Sequence, residues 1–246
     1  MWDIIQQRHH IGAALTVKDT PPTVADTQNG ERFPMGKPIV YGPRYSTYTR
    51  SVIMALMEKR VPHDVVHVDM DKREHKAPEH LARHPFGMLP AFEHNGFKIY
   101  ESLPILQYID DALPGTRLTP ADIHRRTRAL QIMSVINAYA YRPLVWGIFV
   151  PRTFTEPGQP VDEAAIATAV DAGMLGLKAI EDLMTDPDPY LVGRQISLVD
   201  LLLVPVIHYL SGTPEGGQML PRFPKLAAWH AALTARPSVA ETVPAL

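Results

Sequence analysis

The stretch His84–Ser102, HPFGMLPAFEHNGFKIYES, constrains the fold of this chain more than any other. Asn95-Gly96 is a two-residue hairpin signal, because both central positions of a type I′ turn need a positive φ. It predicts one strand in PAFEH and a second in FKIY. Proline has no N–H to give to a ladder, so it is confined to strand starts, edges and bulges. Pro90 therefore heads its strand and leaves the backbone of Leu89 exposed, free to pair with something outside the chain.

The flanking segments supply the rest of a small sheet. KPIVYG (Lys37–Gly42) is a short apolar run that ends in Gly-Pro, and reads as a buried strand. STYTRSVIMALMEKR places Val52, Leu56 and Lys59 on one side with Ile53 and Met57 beside them, an apolar helical face that Pro62 ends. HDVVHVDM (His63–Met70) reads as a second strand. KAPEHLARH (Lys76–His84) reads as a short helix, with Pro78 tolerated in its first turn. After the hairpin a helix is predicted from about Ser102 to Asp111. The order β-α-β-α-β-β-α is that of an α+β, thioredoxin-like domain, its first β-α-β favouring a right-handed parallel pairing.

After Arg117 the strand signals stop. PADIHRRTRALQIMSVINAYAYRPLVWGIFVPR predicts a long helix bent at Pro143. Val161–Met184 predicts a second, and SLVDLLLVPVIHYL (Ser197–Leu210) a third that is apolar all round and so buried. FPKLAAWHAALTARPSV closes the chain with another. The expected organisation is an extension over residues 1–36, a thioredoxin-like domain over 37–113, a linker over 114–120 and an all-helical bundle over 121–246. In ISLVDL, Ser197 and Asp200 have N-cap and N3 spacing, and Ile196 and Leu201 can staple the helix start. This pair reads as a folding device, not as catalytic machinery.

Composition enters by what it excludes. The 246 residues include no cysteine, so there is no disulfide, thiolate metal site or cysteine nucleophile. Any sulfur chemistry needs a sulfur from a ligand. A formal net charge of -2 gives no electrostatic footprint for nucleic acid or an acidic membrane. The longest apolar run contains Asp200 and Pro205, so no membrane span is expected. The opening segment has no basic start followed by an apolar core, and Asp3, Asp19, Asp26 and Glu31 argue against a transit peptide. It is expected to have little structure of its own and to leave the chain cytoplasmic. Met35 is a candidate translation start, and His9-His10 reads as a solvated pair because no third metal ligand is near.

YGPRYSTYTRSV, EHKAPEHLARHPFGMLPAF and YES, in that order before a helical half containing ISLVD, resemble the glutathione S-transferase family. The middle run is most similar to the phi class and its bacterial relatives. The resemblance covers Lys37 to roughly the C-terminus and not the first 36 residues. It implies a cis peptide bond before Pro90, where spacing alone leaves cis and trans open. It also implies that Leu89 pairs through its backbone with the cysteinyl part of glutathione, strand-fashion.

The remaining site residues follow from the same resemblance. Glu101 and Ser102, between strand and helix, suit the γ-glutamyl ammonium and carboxylate, the latter at helix amides and a hydroxyl. His75 and Lys76 are expected near the glycyl carboxylate. Met88 stands in the binding run where phi-like sequences carry glutamine, and Leu103 where arginine often follows Glu-Ser. The catalytic residue implied is Ser46, just before the helix beginning near Thr47. Its hydroxyl would donate to the glutathione sulfur, and the helix start would favour the thiolate. Tyr41, Tyr45 and Thr47 are rivals, Tyr41 reading as packing. Tyr139, Trp146 and Phe149 are candidate walls for a small hydrophobic electrophile.

No metal is implied, and glutathione is the co-substrate. Phe86 is a candidate key into a second copy of the chain, making a homodimer. The function expected is conjugation of glutathione to small hydrophobic electrophiles or glutathione-dependent peroxide reduction; the serine-serine-cysteine signature of the zeta-type isomerases is lacking. The alternative is a glutathione-binding regulator without turnover. Cysteine-dependent thiol transfer is excluded in its usual form.

Overall fold

The hairpin forms as its sequence predicts. In the computed structural model, which describes residues 36–156, 158–184 and 188–244, Asn95 and Gly96 both have positive φ, at 52° and 79°. They join β3 (Ala91–His94) to β4 (Phe97–Tyr100). Ahead of them come β1 (Ile39–Tyr41), α1 (Thr47–Glu58), β2 (Asp64–Val66) and the short α2 (Pro78–Leu81), with a single 3₁₀ turn at Glu74–Lys76. The four strands lie in the order β2-β1-β3-β4, with β1 and β2 parallel and the other pairs antiparallel. α3 (Ser102–Ala112) follows. Predicted and observed order agree.

Two elements are shorter than their sequences suggest. The second strand stops at Val66, because it pairs only with a three-residue neighbour. Beyond it the Asp69 carboxylate accepts the N–H groups of Asp71 and Lys72 and turns the chain. The helix expected over Lys76–His84 keeps only Pro78–Leu81, preceded by the 3₁₀ turn.

Beyond α3 the regular elements of the described chain are helices, apart from one isolated bridge. α4 (Ile123–Val135) continues through π-helical turns at Ile136–Ala140 and Arg142–Phe149 into α5 (Val150–Phe154). The disturbance expected at Pro143 takes this form: a residue without an N–H is accommodated where the hydrogen-bond register has already widened. α6 (Glu163–Leu183), α7 (Leu198–Ser211), α8 (Pro214–Met219), α9 (Pro224–Thr234) and α10 (Pro237–Ala240) complete it. α8 has no counterpart among the sequence expectations. α7 lies at the centre, its residues buried nearly all round. One hydrophobic cluster runs from Val40 of the sheet through Leu56 and Ile105 to Trp229. No helix among the described residues is long and apolar enough to cross a membrane. The opening segment, with His9-His10 and Met35, lies outside the described residues.

A buried ion pair ties the segment after α3 to α1. Lys59, at the end of α1, reaches the Asp110 carboxylate at 3.3 Å and the carbonyl of Thr116 at 3.2 Å. The same carboxylate accepts the N–H groups of Leu118 at 2.7 Å and Thr119 at 3.0 Å. Gly115 passes so close to the Lys59 carbonyl that a Cβ would lie 2.3 Å from it, and its φ of 108° suits glycine alone. Burial pushes the Asp110 carboxyl up. The two N–H donors, then the Lys59 and Arg117 cations, outweigh it and hold the group below its ordinary range. Its contribution to stability is therefore present above about pH 4 and is lost as pH falls through the depressed value. Lys59→Met should cost about 3 kcal/mol, because it removes the buried cation from a buried carboxylate and leaves only the more exposed Arg117 beside it. The midpoint of urea unfolding at neutral pH checks this.

Candidate active site

The sheet register assembles the site. Tyr41 pairs with Ala91, and Ala91 with Tyr100. The segment after β1, the residues before β3 and those after β4 therefore emerge at one end of the sheet. Tyr41 also pairs with Val66, so the chain leaving β2 toward His75-Lys76 starts from the same end. Ser46, Leu89-Pro90 and Glu101-Ser102, far apart in sequence, are brought together by hydrogen-bonded pairs alone.

Ser46 is the N-cap of α1. Its Oγ accepts the Thr49 N–H at 3.4 Å, and its own N–H bonds the Pro43 carbonyl at 3.0 Å. It is half-buried, with a serine hydroxyl still able to donate. The free N–H groups of the helix start favour negative charge beside it.

Of the rivals, Tyr41 and Thr47 are packed, whereas the Tyr45 side chain is exposed. Tyr41 lies under the Arg83 guanidinium, 4.3 Å from its ring centre, a packing contact. Thr47 is buried. Tyr48 donates to Asn137 Oδ1 at 2.9 Å and packs on Tyr141 with ring centres 4.3 Å apart. Burial, then Tyr141 and Glu101, pushes the Tyr48 hydroxyl up, and burial with Asp71 and Asp69 does the same to Tyr45. Both remain neutral at physiological pH.

The Leu89-Pro90 bond is cis. Among the described residues no hydrogen bond engages the N–H or C=O of Leu89. The preceding carbonyls are all held. Lys76 Nζ donates to Phe86 at 3.0 Å and to Gly87 at 3.2 Å, and His80 Nε2 donates to Met88 at 2.8 Å. Gly87 has φ 59°, and a Cβ there would lie 2.6 Å from the His75 carbonyl. The loop is thus fastened up to Met88 and open at Leu89. The Met88 side chain is exposed, and its carbonyl is held by His80.

Glu101 has φ 70° and ψ 129°, a conformation that costs a non-glycine residue about 1–3 kcal/mol and that clusters at ligand sites. It is the N-cap residue of α3 without a capping side-chain bond. Ser102 is the first helical residue, buried, and its hydroxyl makes no hydrogen bond among the described residues. The common fate of such a serine, capping its helix, is not what occurs. His75 is half-buried with Nδ1 unpartnered, and burial, then Lys76, His80 and Arg73, lowers its pKa. It is neutral at physiological pH, a donor without charge.

Among the expected electrophile walls, Tyr139 and Trp146 are open, 67% and 51% exposed on the π-helical segment. Phe149 is a correction. It is 7% exposed and stacks on Tyr209 with ring centres 4.3 Å apart, so its ring belongs to the core. Period alone cannot separate the two faces of a helix whose turns widen.

Two further residues touch the start of α1 and a third lies within its first turn; all escaped the sequence reading. Asn137 holds Tyr48. Tyr209 of α7 donates its hydroxyl to the Tyr45 carbonyl. Arg50 is fully buried, with its guanidinium nitrogens unpartnered by hydrogen bonds and its charge 5.3 Å from the centre of the Tyr209 ring. Only a cationic residue inside the apolar face of α1 hinted at any of this.

Comparison with known proteins bears on what the arrangement does. Residues 40–117 match the family model for the N-terminal domain of glutathione S-transferases, and residues 174–242 the C-terminal one. The chain is 34% identical over 214 residues to glutathione S-transferase F6 of Arabidopsis thaliana, an alignment covering 81% of this chain and 95% of that protein. It is 33% identical to F7 of the same plant, with the same coverage. The crystal structure of poplar glutathione transferase F1 superposes with a TM-score of 0.74 at 28% identity, covering 84% of this chain and 96% of that one. A glutathione S-transferase-I bound with lactoylglutathione superposes at 0.72 with 26% identity, covering 84% and 98%.

Proposed function

The chain belongs to the glutathione S-transferase family, with glutathione as co-substrate, and we propose that it works as a serine-type member in which Ser46 stabilises the thiolate. The observation that carries the reading is the sheet register, which sets the Ser46 hydroxyl, the unpaired Leu89 backbone and the start of α3 at one end of the sheet.

Leu89 pairs through its N–H and C=O with the cysteinyl residue of glutathione. Ser102 and the first amides of α3 take the γ-glutamyl carboxylate, with Glu101 near the ammonium. Lys76 and His75 serve the glycyl carboxylate, Lys76 releasing loop carbonyls as it does so. Ser46 Oγ–H donates to the sulfur, and the thiol loses its proton to solvent more readily because its anion is hydrogen-bonded and faces a helix start. The thiolate attacks an electrophilic carbon of a small apolar substrate. A C–S bond forms, and the displaced electron pair leaves with a leaving group or moves into the acceptor. Tyr139 and Trp146 wall the approach from the helical half.

The test is the near-ultraviolet thiolate absorbance of glutathione bound to the protein, followed across pH. Free thiols of this kind ionise near pH 8.5, and the bound thiol is expected to ionise about one to two units lower. Binding without a lowered titration would overturn the role of Ser46.

A homodimer is part of the same proposal. Phe86 is 66% exposed on the loop before Pro90, with ring contacts to His84 and Tyr100. An aromatic ring held out this way fits a pocket on a second copy. Phe86→Ala should weaken association at least tenfold in sedimentation equilibrium, a loss typical of an aromatic anchor. An unchanged dimer would remove Phe86 from the interface.

A further inference from the structure

Tyr209 sits on α7, 164 residues from the carbonyl its hydroxyl bonds, that of Tyr45. Tyr45 immediately precedes Ser46, so one peptide plane carries both the Tyr45 carbonyl and the Ser46 N–H. That plane is fixed at both edges: Tyr209 holds the carbonyl, and the Pro43 carbonyl accepts the N–H at 3.0 Å. With the plane fixed, only φ and the side-chain rotamer of Ser46 remain to set where Oγ points. The Thr49 N–H, bonded to Oγ at 3.4 Å, restrains the rotamer.

The anchor is itself rigid. The Tyr209 ring is 4% exposed and stacks on Phe149, ring centres 4.3 Å apart and planes inclined by 6°. The Arg50 guanidinium, projecting from α1, lies 5.3 Å from its centre. Tyr209 thus meets α1 twice, through a carbonyl just outside its first turn and through a cation just inside it. Arg50 has no hydrogen-bond partner on any guanidinium nitrogen, so the ring face is its principal compensation for burial. Burial, helped by Tyr141 and Tyr45, outweighs the Arg50 cation and keeps the Tyr209 hydroxyl protonated, hence a donor.

We propose that Tyr209 is a positioning residue for thiolate formation: by pinning the Tyr45 carbonyl from the helical half, it aims the Ser46 hydroxyl at the sulfur. This rests on the reading of Ser46 given above. A hydroxyl that must meet a sulfur at hydrogen-bond distance tolerates a displacement of only about half an ångström. A loop between a strand and a helix does not supply that precision alone. The arrangement also links the helical half to the sulfur site through Phe149, Tyr209, Tyr45 and Ser46 in turn.

The experiment compares the full chain with Tyr209→Phe, Ser46→Ala and the double variant, reading the thiolate titration of bound glutathione and kcat against KM with an aryl halide. Phenylalanine keeps both ring contacts and removes the hydroxyl, with its bond to the Tyr45 carbonyl and its electrostatic contact with Arg50. The expected result is a titration displaced upward by about one unit, thus about three- to eightfold less thiolate at pH 7, with KM for glutathione within about twofold. In the Ser46→Ala background the same change should have no further effect, because the residue acts through Ser46. A Tyr209→Phe titration that superimposes on that of the unaltered chain would overturn the proposal, as would an equal displacement with Ser46 absent. Should Ser46→Ala itself titrate like the unaltered chain, the reading of Ser46 falls and this inference falls with it. The single variants thus tell the two failures apart.

Discussion

Replacing Ser46 by alanine is expected to raise the pKa of protein-bound glutathione by about one to two units and to cut kcat/KM by about 10- to 100-fold at pH below the native value. A hydrogen bond to a charged acceptor contributes about 1.5–3 kcal/mol, and one pKa unit corresponds to 1.36 kcal/mol. The loss falls on the thiolate form alone, because the neutral thiol gains little from a donor. Its pH dependence has a definite sign. Below the native pKa both proteins hold mostly thiol, and the deficit is greatest. As pH rises through the displaced pKa, the variant's thiol ionises without help and the rates converge. Glutathione affinity at low pH should change little, since Leu89, Ser102 and the start of α3 are untouched. Tyr41→Phe is the control, because that ring packs under Arg83 and its loss of a hydroxyl should leave the profile in place. A rate deficit in Ser46→Ala that is constant across pH would show that the serine shapes the helix end rather than the thiolate.

The second large effect concerns folding. Asp200→Ala is expected to destabilise the protein by about 5 kcal/mol, well beyond the loss of an ordinary cap. The Asp200 carboxylate is fully buried and accepts four donors: the Ser197 N–H at 2.9 Å, the Ser197 hydroxyl at 2.7 Å, the Leu191 N–H at 2.9 Å and Trp229 Nε1 at 2.8 Å. Removing the acceptor leaves buried donors unsatisfied, each costing about 1–3 kcal/mol, with less than full additivity among neighbours. Ser197→Ala removes only one donor and should cost about 1 kcal/mol. Against a total stability of about 5–15 kcal/mol, the aspartate variant stands at the edge of folding. Chemical unfolding of the two variants side by side checks the ratio. Equal losses would mean that Asp200 is a helix cap and nothing more.

That contrast shows how far local sequence signals reach. Ser197 and Asp200 were legible as a capping box because cap and N3 residues lie within one turn. The Trp229 bond to the same carboxylate was not, because it comes from another helix 29 residues later. The same division runs through the candidate site. Asn95-Gly96 dictated its hairpin, since the positive φ values it needs are a property of two adjacent residues. The Leu89-Pro90 turn and the Glu101-Ser102 step were legible through their likeness to a known family. The shortened β2 and α2 were not legible, because strand length depends on the partner strand and helix length on where the next segment docks.

The amino-acid sequence by itself determined the order of elements up to α3, the hairpin, the Ser197–Asp200 cap, the absence of any protein thiol, and Ser46 as the hydroxyl to consider. These depend on residue type, short spacing or a family's motif. Only the tertiary structure decided that Phe149 faces inward, that Lys76 and His80 fasten the loop before Leu89, that Asp110 clamps the segment after α3, and that Tyr209 reaches the carbonyl beside Ser46. Each of those is a contact between residues whose separation in sequence carries no information about their separation in space. Which partner meets which is set by the packing of α7 against α1 and by sheet register, and those depend on the whole core at once.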